Sequence, residues 1–398
     1  MQVSYAGPIT LDLHAHAVAA ADVFATRALD TERLGRLLNE NVAYLVEMGV
    51  PRLLVPRQWH GSELDFASVI DLVITLARGC MSTAWCAALY AEHPWILAHF
   101  DERAQADVWG ETANVPVCMS VAAFGRGAPV AGGLELSGSW PFVSGCDHAP
   151  WFLLSTQWNL AEGDAAGAHS GLCLVPREDV SIDQESWHVA GLRGTGSKTL
   201  RVDGAFVPEH RVRDSTALVT PPTFHRQTTG PLFCQPFGGT LGLVLAAVAV
   251  GGAEGALEHF RRRASERVLR HQNRVQAADP AAHLDLSEAA MRIQSAGLLL
   301  RDATEVVRLA GERSSELSVE TLAELRARKA FIVRLATEAV DRLFAASGGG
   351  ALQESNSLQR FWRDVHAIHA HAGMNWSSHA QNYGSVLAGL GPTINRPW

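Results

Sequence analysis

Lysine is nearly missing from this chain of 398 residues: of 33 basic residues, only Lys198 and Lys329 are lysines. Charged residues of both signs are scarce at 19%, where an average soluble domain has about 25%. The net charge of −8 argues against a general nucleic-acid-binding protein, which shows a basic surplus. An apolar content of 47% excludes intrinsic disorder. We interpret the arginine excess as a drift in nucleotide composition.

The cysteines are few and lack the C-x-x-C spacing of zinc and redox motifs. In a chain of this length we expect them to be reduced and buried, not joined in a disulfide framework. The N-terminus has no basic segment before its apolar residues, so a signal peptide is not predicted. We therefore expect the protein in the cytoplasm.

One uncharged stretch, residues 227–253, raises the question of a membrane segment. It contains six glycines and two prolines, and its compact apolar part runs from Leu241 to Glu254. A helix that crosses a bilayer needs about 20 apolar residues. We therefore predict a helix of the protein core and no membrane contact.

Residues 1–115 show helical periodicity. Apolar residues between Asp30 and Gly49 predict one helix, and Ser62–Arg78 predicts a second. A third helix is predicted to begin near Ser82. Proline disfavours helical geometry in the residue before it, so Pro94 predicts a break at His93.

The pattern changes twice along the rest of the chain. Residues 116–225 form short runs with period-2 alternation and Gly/Pro punctuation, which predicts an antiparallel β region, a barrel or sandwich. Residues 226–398 are helical again, in three long pieces typical of a bundle. The long pieces are Leu241–Arg270, Ser287–Arg313 and Val319–Ala346.

Sequence motifs limit the kinds of cofactor site and catalytic group that we expect in this protein. There is no Walker A sequence and no G-x-G-x-x-G that follows a strand and opens a helix, which argues against a Rossmann nicotinamide site. The glycine-rich segment 191–197 lies between β runs and predicts a turn that could also face a ligand. Four histidines crowd the C-terminal region without HExxH or a cysteine partner, so we predict no metal and an acid/base role for one of them. They are His366, His369, His371 and His379.

Two further segments leave alternatives open. The run from Ser347 to Gly350 could be a helix C-cap, or a backbone-lined site for an anion or a ring edge. The arginines 261–263, with Arg267 and Arg270, could be a solvated helix face or a clamp for a phosphate.

Two longer motifs carry a family resemblance. GLRGTGSKTLRVDGAFVPEHRV at 191–212 and SGGGALQESNSLQRFWRD at 347–364 resemble segments of the acyl-CoA dehydrogenase superfamily. The resemblance implies an α+β, mainly α fold in three domains. These are an N-terminal helical domain at 1–115, a middle antiparallel β-barrel or sandwich domain at 116–225, and a C-terminal four-helix bundle at 226–398 for oligomerisation and flavin binding.

The subfamily is indicated by the residues after Arg363-Asp364. Many of the dehydrogenases carry a catalytic glutamate there in a Tyr-Glu-Gly context, whereas this chain has His371-Ala372-Gly373. The segments 83–95, 138–151 and 363–376 resemble instead the oxygenase components of two-component flavin-dependent monooxygenases, such as 4-hydroxyphenylacetate 3-hydroxylase.

The resemblance implies reduced FMN or FAD as cofactor, oxygen as co-substrate, and a separate NAD(P)H:flavin reductase as partner. It also implies a homotetramer and a small aromatic substrate of phenolic or polyketide type. The catalytic residues implied are His93 and Ser144, as hydrogen-bond donors to a C4a-hydroperoxyflavin, and His371, as the base for a phenol. The flavin-binding residues implied are Trp85, Ser120, Trp140, Ser144, Arg263, Arg267, Ser347, Gly348 and Gly349.

Three other functions stay open at this point. The same fold hosts monooxygenases that act on nitrogen or sulfur. A true acyl-CoA dehydrogenase would hold FAD tightly and be reduced by an acyl-CoA. A helical interaction protein that kept the fold without the chemistry would bind no flavin.

Overall fold

The N-terminal part of the protein is helical. The computed structural model describes residues 11–159, 169–219, 230–269 and 273–394. The helices of this part are α1 (Leu11–Leu34), α2 (Asn39–Glu47), α3 (Phe66–Ala77), α4 (Met81–Leu97) and α5 (Glu102–Trp109).

Two predicted helix boundaries in this part are wrong. The helix expected between Asp30 and Gly49 is divided, because Gly35 has a φ of +66° and ends α1. Helix α3 begins four residues after Ser62. Its N-cap is Asp65, whose carboxylate accepts a hydrogen bond from the backbone N–H of Ser68 at 2.8 Å.

Helix α4 carries several of the predicted site residues, and it runs through Pro94 without ending. The predicted break at His93 is therefore wrong. Every residue of α4 except Leu89 is buried, so packing on all sides holds the helix against the local preference of the residue before proline.

Seven of the described strands form one sheet in the order β5-β6-β2-β1-β3-β4-β7. Strands β1 and β3 are parallel and the other neighbours are antiparallel, so the prediction of a wholly antiparallel region is wrong at this pair. Their hydrogen bonds give a single sheet with β5 and β7 at its ends. The strands are β1 (Val117–Val130), β2 (Gly133–Val143), β3 (Trp151–Trp158), β4 (His169–Pro176), β5 (Ser181–Asp183), β6 (Lys198–Pro208) and β7 (Val212–Asp214).

The remainder of the described chain is again mainly helical, with a short hairpin of β8 (Val268–Leu269) and β9 (Arg274–Val275). The bounds predicted for α10 are confirmed, and α9 starts earlier than predicted, after the N-cap Asp279. Arg270 lies outside the described residues. The helices are α6 (Ser215–Val219), α7 (Phe237–Thr240), α8 (Leu243–Glu266), α9 (Pro280–Arg313), α10 (Val319–Ala346), α11 (Ser357–Ala370) and α12 (Trp376–Leu387).

Helix α8 is the core helix of this part. The stretch Phe237–Glu266 is long and apolar enough to cross a membrane, but 83% of its most apolar window is buried inside the protein. A Cβ atom on Gly251 would lie 2.2 Å from the carbonyl oxygen of Ile74, so glycine allows α3 to pack directly on α8. The prediction of a core helix is confirmed. The six cysteines are likewise buried and unpaired, as predicted.

Candidate active site

Three of the predicted site residues, from three separate segments, meet at one place. The indole Nε1 of Trp85, on α4, donates a hydrogen bond to Ser144 Oγ at 3.0 Å. The ring of His371, at the end of α11, packs edge-on against Trp85 with 5.6 Å between the ring centroids. Trp85 and Ser144 are buried, whereas His371 is exposed.

Ser144 lies on a turn that its neighbours hold tightly. The next residue, Gly145, has a φ of +71° and donates its N–H to the carbonyl oxygen of Thr195 at 2.8 Å. Tyr90 donates its hydroxyl to the Gly145 carbonyl at 2.8 Å. A Cβ on Gly145 would come within 2.5 Å of the Tyr90 oxygen, so this position requires glycine.

Two more hydroxyls extend from Ser144 and form with it what we term the hydroxyl triad: Ser144, Ser197 and Thr195. Ser144 Oγ lies 2.7 Å from Ser197 Oγ, which lies 2.6 Å from Thr195 Oγ1. Thr195 Oγ1 donates to the carbonyl oxygen of Leu192 at 2.8 Å.

The hydrogen bonds of the hydroxyl triad can run in either direction. The Leu192 carbonyl also accepts the N–H of Thr195 at 3.1 Å, so the Thr195 hydroxyl can donate either to Leu192 or to Ser197. Ser144 accepts from the Trp85 indole and shares one proton with Ser197. The role of Ser144 as a donor to the flavin stays a prediction.

The turn that supplies Thr195 and Ser197 is anchored to α11 by the Arg-Asp pair. Asp364 Oδ1 accepts the N–H of Leu192 at 2.6 Å, which holds Leu192 at a φ of +52°. Arg363 donates to the carbonyl of Ala190 at 2.6 Å and pairs with Glu32 at 2.6 Å. Burial raises the pKa of Asp364 to about 6, against the opposing effect of the Leu192 N–H. The two motifs that carried the family resemblance thus contact each other.

A buried ion pair holds the turns on both sides of the hydroxyl triad together. Lys198 Nζ donates to both carboxylate oxygens of Asp147 at 2.8 Å and to Gln184 Oε1 at 2.5 Å. The side chains of Lys198 and Asp147 are only 6% and 10% exposed. Lys198 follows Ser197 directly, and Asp147 lies three residues after Ser144, so the pair fixes the spacing of these two hydroxyls.

His371 is set up as a hydrogen-bond donor. The His371 side chain is exposed, and nearby protein atoms lower the pKa of its ring by desolvation. Nδ1 accepts the N–H of Gly373 at 3.2 Å, so the neutral ring carries its proton on Nε2. To act as the predicted base, Nδ1 must first release this N–H.

Another histidine of the C-terminal group, His366, has its own partners. His366 Nδ1 bonds the Trp362 carbonyl, and its Nε2 lies 3.4 Å from Asp341. Within the ranges that the structure describes, no three His, Cys, Asp or Glu side chains are placed to hold a metal ion.

His93 is buried and neutral. Burial lowers its pKa to about 4, and Nδ1 lies 2.8 Å from the carbonyl oxygen of Val117 at the start of β1. A carbonyl can only accept, so the single ring proton is on Nδ1 and Nε2 is an acceptor. The predicted donor role of His93 is therefore not available to the neutral ring. Its connection to Ser144 passes through β1, where Cys118 donates its thiol to the Ser144 carbonyl at 3.0 Å.

Acid is expected to destabilise the fold through His93. Its folded pKa of about 4 lies below the usual 6.5, so its contribution is complete above pH 6.5 and is lost as the pH falls towards 4. Urea unfolding at pH 7 and pH 5 is expected to show a loss about 2 kcal/mol smaller in His93→Gln than in the unmodified protein. The exposed His188→Gln serves as the matched control; equal losses in both variants would contradict this assignment.

Trp140 and Ser120 lie in the sheet. Trp140, on β2, is fully buried and donates its indole N–H to the Ser155 carbonyl at 2.7 Å. A Cβ on Gly125 would lie 2.1 Å from the indole ring, so glycine makes room for it. Ser120 is buried on β1, opposite Leu154. The Trp140 indole is therefore buried against neighbouring strands of the sheet. The role of Trp140 as a wall of the flavin site stays a prediction.

Arg267 meets the glycine run at the end of α10. It donates to the carbonyl oxygens of Ala346 and Ser347, at 3.3 and 2.7 Å, and so caps the helix. A Cβ on Gly348 (φ +65°) would lie 2.5 Å from Arg267 Nη2, whereas Gly349 faces open space. Arg263 is exposed and pairs with Glu266 at 3.8 Å. Of the two predicted arginines, Arg267 is thus the one that lies beside the glycines.

Sequence reasoning missed Thr195, Ser197 and the Asp147–Lys198 pair. The available signal was the glycine-rich segment 191–197, which was expected to form a turn that could face a ligand. Their partners are distant in sequence, so the sequence did not show which side chains would meet this turn.

The chain is similar to known flavin-dependent oxygenases over most of its length. The family "Acyl-CoA dehydrogenase, C-terminal domain" matches residues 243–376. The oxygenase component of an FADH(2)-dependent resorcinol hydroxylase from Rhizobium sp. (strain MTP-10005) is 35% identical, over 94% of this chain and 93% of that protein. The oxygenase subunit HsaA of a flavin-dependent monooxygenase from Rhodococcus jostii (strain RHA1) is 36% identical, over 92% of this chain and 95% of its own.

A solved structure with bound flavin shares the architecture. XiaF from Streptomyces sp., in complex with FADH2 and glycerol, superposes with a TM-score of 0.90 at 27% identity, over 97% of this chain and 98% of that one. The chain therefore belongs to the oxygenase components of the flavin-dependent monooxygenases, enzymes that use reduced flavin and oxygen and are built on the acyl-CoA dehydrogenase fold.

Proposed function

We propose that this protein uses reduced FMN or FAD to hydroxylate a small aromatic substrate of phenolic or polyketide type through a C4a-hydroperoxyflavin. The observation that carries the proposal is the meeting of Trp85, Ser144 and His371 in one place. Phenols are the named substrates of relatives at 30–35% identity, which include hydroxylases of resorcinol and p-hydroxyphenylacetate. Relatives that act on sulfur compounds are only 18–20% identical and support the fold alone.

The residues present fit a reduced flavin ring. Bound there, the flavin supplies the activation of oxygen. Ser144 offers its hydroxyl to the ring, and the buried indole of Trp85 excludes water from the same place. His371, which packs edge-on against Trp85, presents Nε2–H to the oxygen of a phenol or phenolate. Arg267 and the backbone around Gly348 are the candidates for the flavin phosphate.

Partners follow from the proposed reaction. The relatives are oxygenase components, so we propose that a separate NAD(P)H:flavin reductase in the cytoplasm supplies the reduced flavin. We also propose a homotetramer. An exposed apolar stripe on α9, with 56–67% of each side chain accessible, supports burial against a second copy. The stripe consists of Leu284, Met291 and Leu298.

The acyl-CoA dehydrogenase alternative is disfavoured by the residue in the matching place. Many dehydrogenases carry a carboxylate base there, and His371 with its proton on Nε2 supplies a donor instead.

The decisive experiment mixes the protein with photoreduced FMN or FAD without oxygen, then with oxygen in a stopped-flow spectrometer. A transient absorbance that differs from both free flavin states is expected, followed by hydroxylated product from resorcinol or p-hydroxyphenylacetate. Labelled ¹⁸O₂ should place one labelled oxygen in the product, and added catalase controls for oxidation by free peroxide. Reoxidation of flavin at its free rate, without product, would contradict the proposal.

A further inference from the structure

We propose that Glu92 and Lys329 are positioning residues for His371: they hold the segment that leads into α8, and this segment supports the turn on which His371 lies. The inference rests on the proposed function, because it takes His371 as the group that binds the phenol oxygen. In this role the two side chains act through the protein and not by contact with substrate or flavin.

The segment before α8, residues 238–242, lies between a buried ammonium and a buried carboxylate. Lys329 Nζ, on α10, donates to the carbonyl oxygen of Leu241 at 2.6 Å and lies 3.4 Å from two further carbonyl oxygens of the segment. Glu92 Oε1, on α4, accepts the N–H of Gly242 at 2.9 Å. Lys329 and Glu92 are 4% and 1% exposed, so bulk water cannot replace either partner.

Glu92 takes the place of a helix cap at the start of α8. The N-cap residue is Gly242, with a φ of +84° and no side chain to cap the helix. A carboxylate is favourable at this positive end of the helix macrodipole. Burial raises the pKa of Glu92 to about 7, while the Gly242 N–H and the Lys329 ammonium act in the opposite direction. Removing either Glu92 or Lys329 would leave the other buried without its counterpart.

The same segment touches the turn of His371 through Met374. A Cβ atom on Gly242 would lie 3.1 Å from Met374 Cε, so glycine lets the methionine side chain pack on the start of α8. Met374 is buried, whereas residues 371–373 are exposed. The N–H of Met374 donates to the carbonyl oxygen of His371 at 2.8 Å. Met374 therefore anchors this turn in the protein core.

The turn of His371 is connected to α4 at two places. At one place the His371 ring packs edge-on against Trp85. At the other, Met374 rests on Gly242, which donates to Glu92. Trp85 and Glu92 are seven residues apart, close to two helical turns, so they lie on one face of α4. A single buried helix thus sets the position of the His371 ring relative to the Trp85 indole.

Glu92→Leu tests the proposal directly, because it removes the acceptor and keeps a side chain of similar size. We expect the KM for the phenol to rise about tenfold, since the hydrogen bond from His371 to the phenol oxygen is weakened. The rate at which bound reduced flavin reacts with oxygen should stay unchanged. Glu92→Gln keeps an acceptor for the Gly242 N–H and should retain most of the phenol affinity. The phenol is resorcinol or p-hydroxyphenylacetate, whichever the unmodified protein hydroxylates.

The methyl signal of Met374 in an NMR spectrum reports the same link without turnover. The chain has six methionines, so ¹³C-labelled methionine methyl groups give few signals, and Met374→Leu identifies the relevant one. Glu92→Leu and Lys329→Met should shift or broaden this signal. The signal of Met48, at the end of α2, should stay in place. The exposed Glu258→Leu on α8 is the matched control and should change neither the signal nor the KM.

A charge-balanced variant covers the case in which a single variant does not fold. Glu92→Gln combined with Lys329→Met leaves no unpaired buried charge, yet it removes the donor to the Leu241 carbonyl. It should therefore fold, shift the Met374 signal and raise the KM.

The outcomes are distinct. An unchanged KM and an unchanged Met374 signal in the folded variants would overturn the positioning role and leave the monooxygenase function intact. An equal loss of phenol affinity and of the flavin reaction with oxygen would also overturn it, because it would show general damage. If the unmodified protein hydroxylates no phenol, the proposed function fails, and the Met374 signal still decides whether Glu92 and Lys329 hold the turn of His371.

Discussion

Replacing Ser144 by alanine is expected to divert most of the reduced flavin that the enzyme consumes into hydrogen peroxide. The substitution removes the hydroxyl that we place beside the flavin ring and leaves the Trp85 indole N–H without its partner at 3.0 Å. It also opens a space beside the ring that water can enter, in a site that must stay dry. Single hydrogen bonds of this kind change rates by about 10²-fold, so the oxygenated transient should shorten by about that factor.

Stopped-flow absorbance gives the lifetime of the transient, and the ratio of hydroxylated product to peroxide gives the coupling. Ser181→Ala, on the exposed edge of the sheet, should leave both quantities at the level of the unmodified protein. A lifetime and coupling in Ser144→Ala that match this control would remove Ser144 from the site.

Replacing Lys198 by methionine should cost the largest amount of stability. Asp147 would become a mostly buried carboxylate without its partner, and removing one member of a buried pair typically costs about 3–5 kcal/mol. We expect the free energy of unfolding, measured by urea with tryptophan fluorescence, to fall by that amount. The Ser144 and Ser197 turns would also separate, because this pair connects them.

A double variant distinguishes an unpaired charge from lost packing. Asp147→Leu combined with Lys198→Met places apolar groups on both sides and should recover most of the loss. The exposed pair of Arg201 and Asp183, also 2.8 Å apart, is the control; Arg201→Met should cost less than about 1 kcal/mol. Equal effects of Lys198→Met and Arg201→Met would show that burial of the pair contributes nothing.

Local sequence patterns predicted the elements well where pattern and packing agree. The bounds of α10 matched because its caps and periodicity lie in the segment itself. The predictions were wrong at Pro94, because burial on all sides overrides the non-helical preference of the residue before proline. They were also wrong at the β1–β3 pair, because its parallel pairing depends on the path of the chain between the two strands.

The two lysines show how composition alone can mislead. Both lysines are buried. Lys198 pairs with Asp147, and Lys329 donates to the carbonyl of Leu241, just before α8, at 2.6 Å. Burial lowers the pKa of Lys329 to about 7 and raises that of nearby Glu92 to about 7. The counts indicated nothing of this, because a count carries no information about partners.

Motifs in the amino-acid sequence were enough to predict the fold class, the family and the residue types that meet at the site, because Trp85, Ser144 and His371 each lie in a recognisable motif. The partners of those residues appear only in the folded protein. A serine can donate or accept, and a histidine can carry its proton on either nitrogen. Thr195 and Ser197 extend the hydrogen bonds of Ser144, and Gly373 leaves the proton of His371 on Nε2. Since these partners come from distant parts of the chain or from a specific turn, only the folded arrangement brings them to the site.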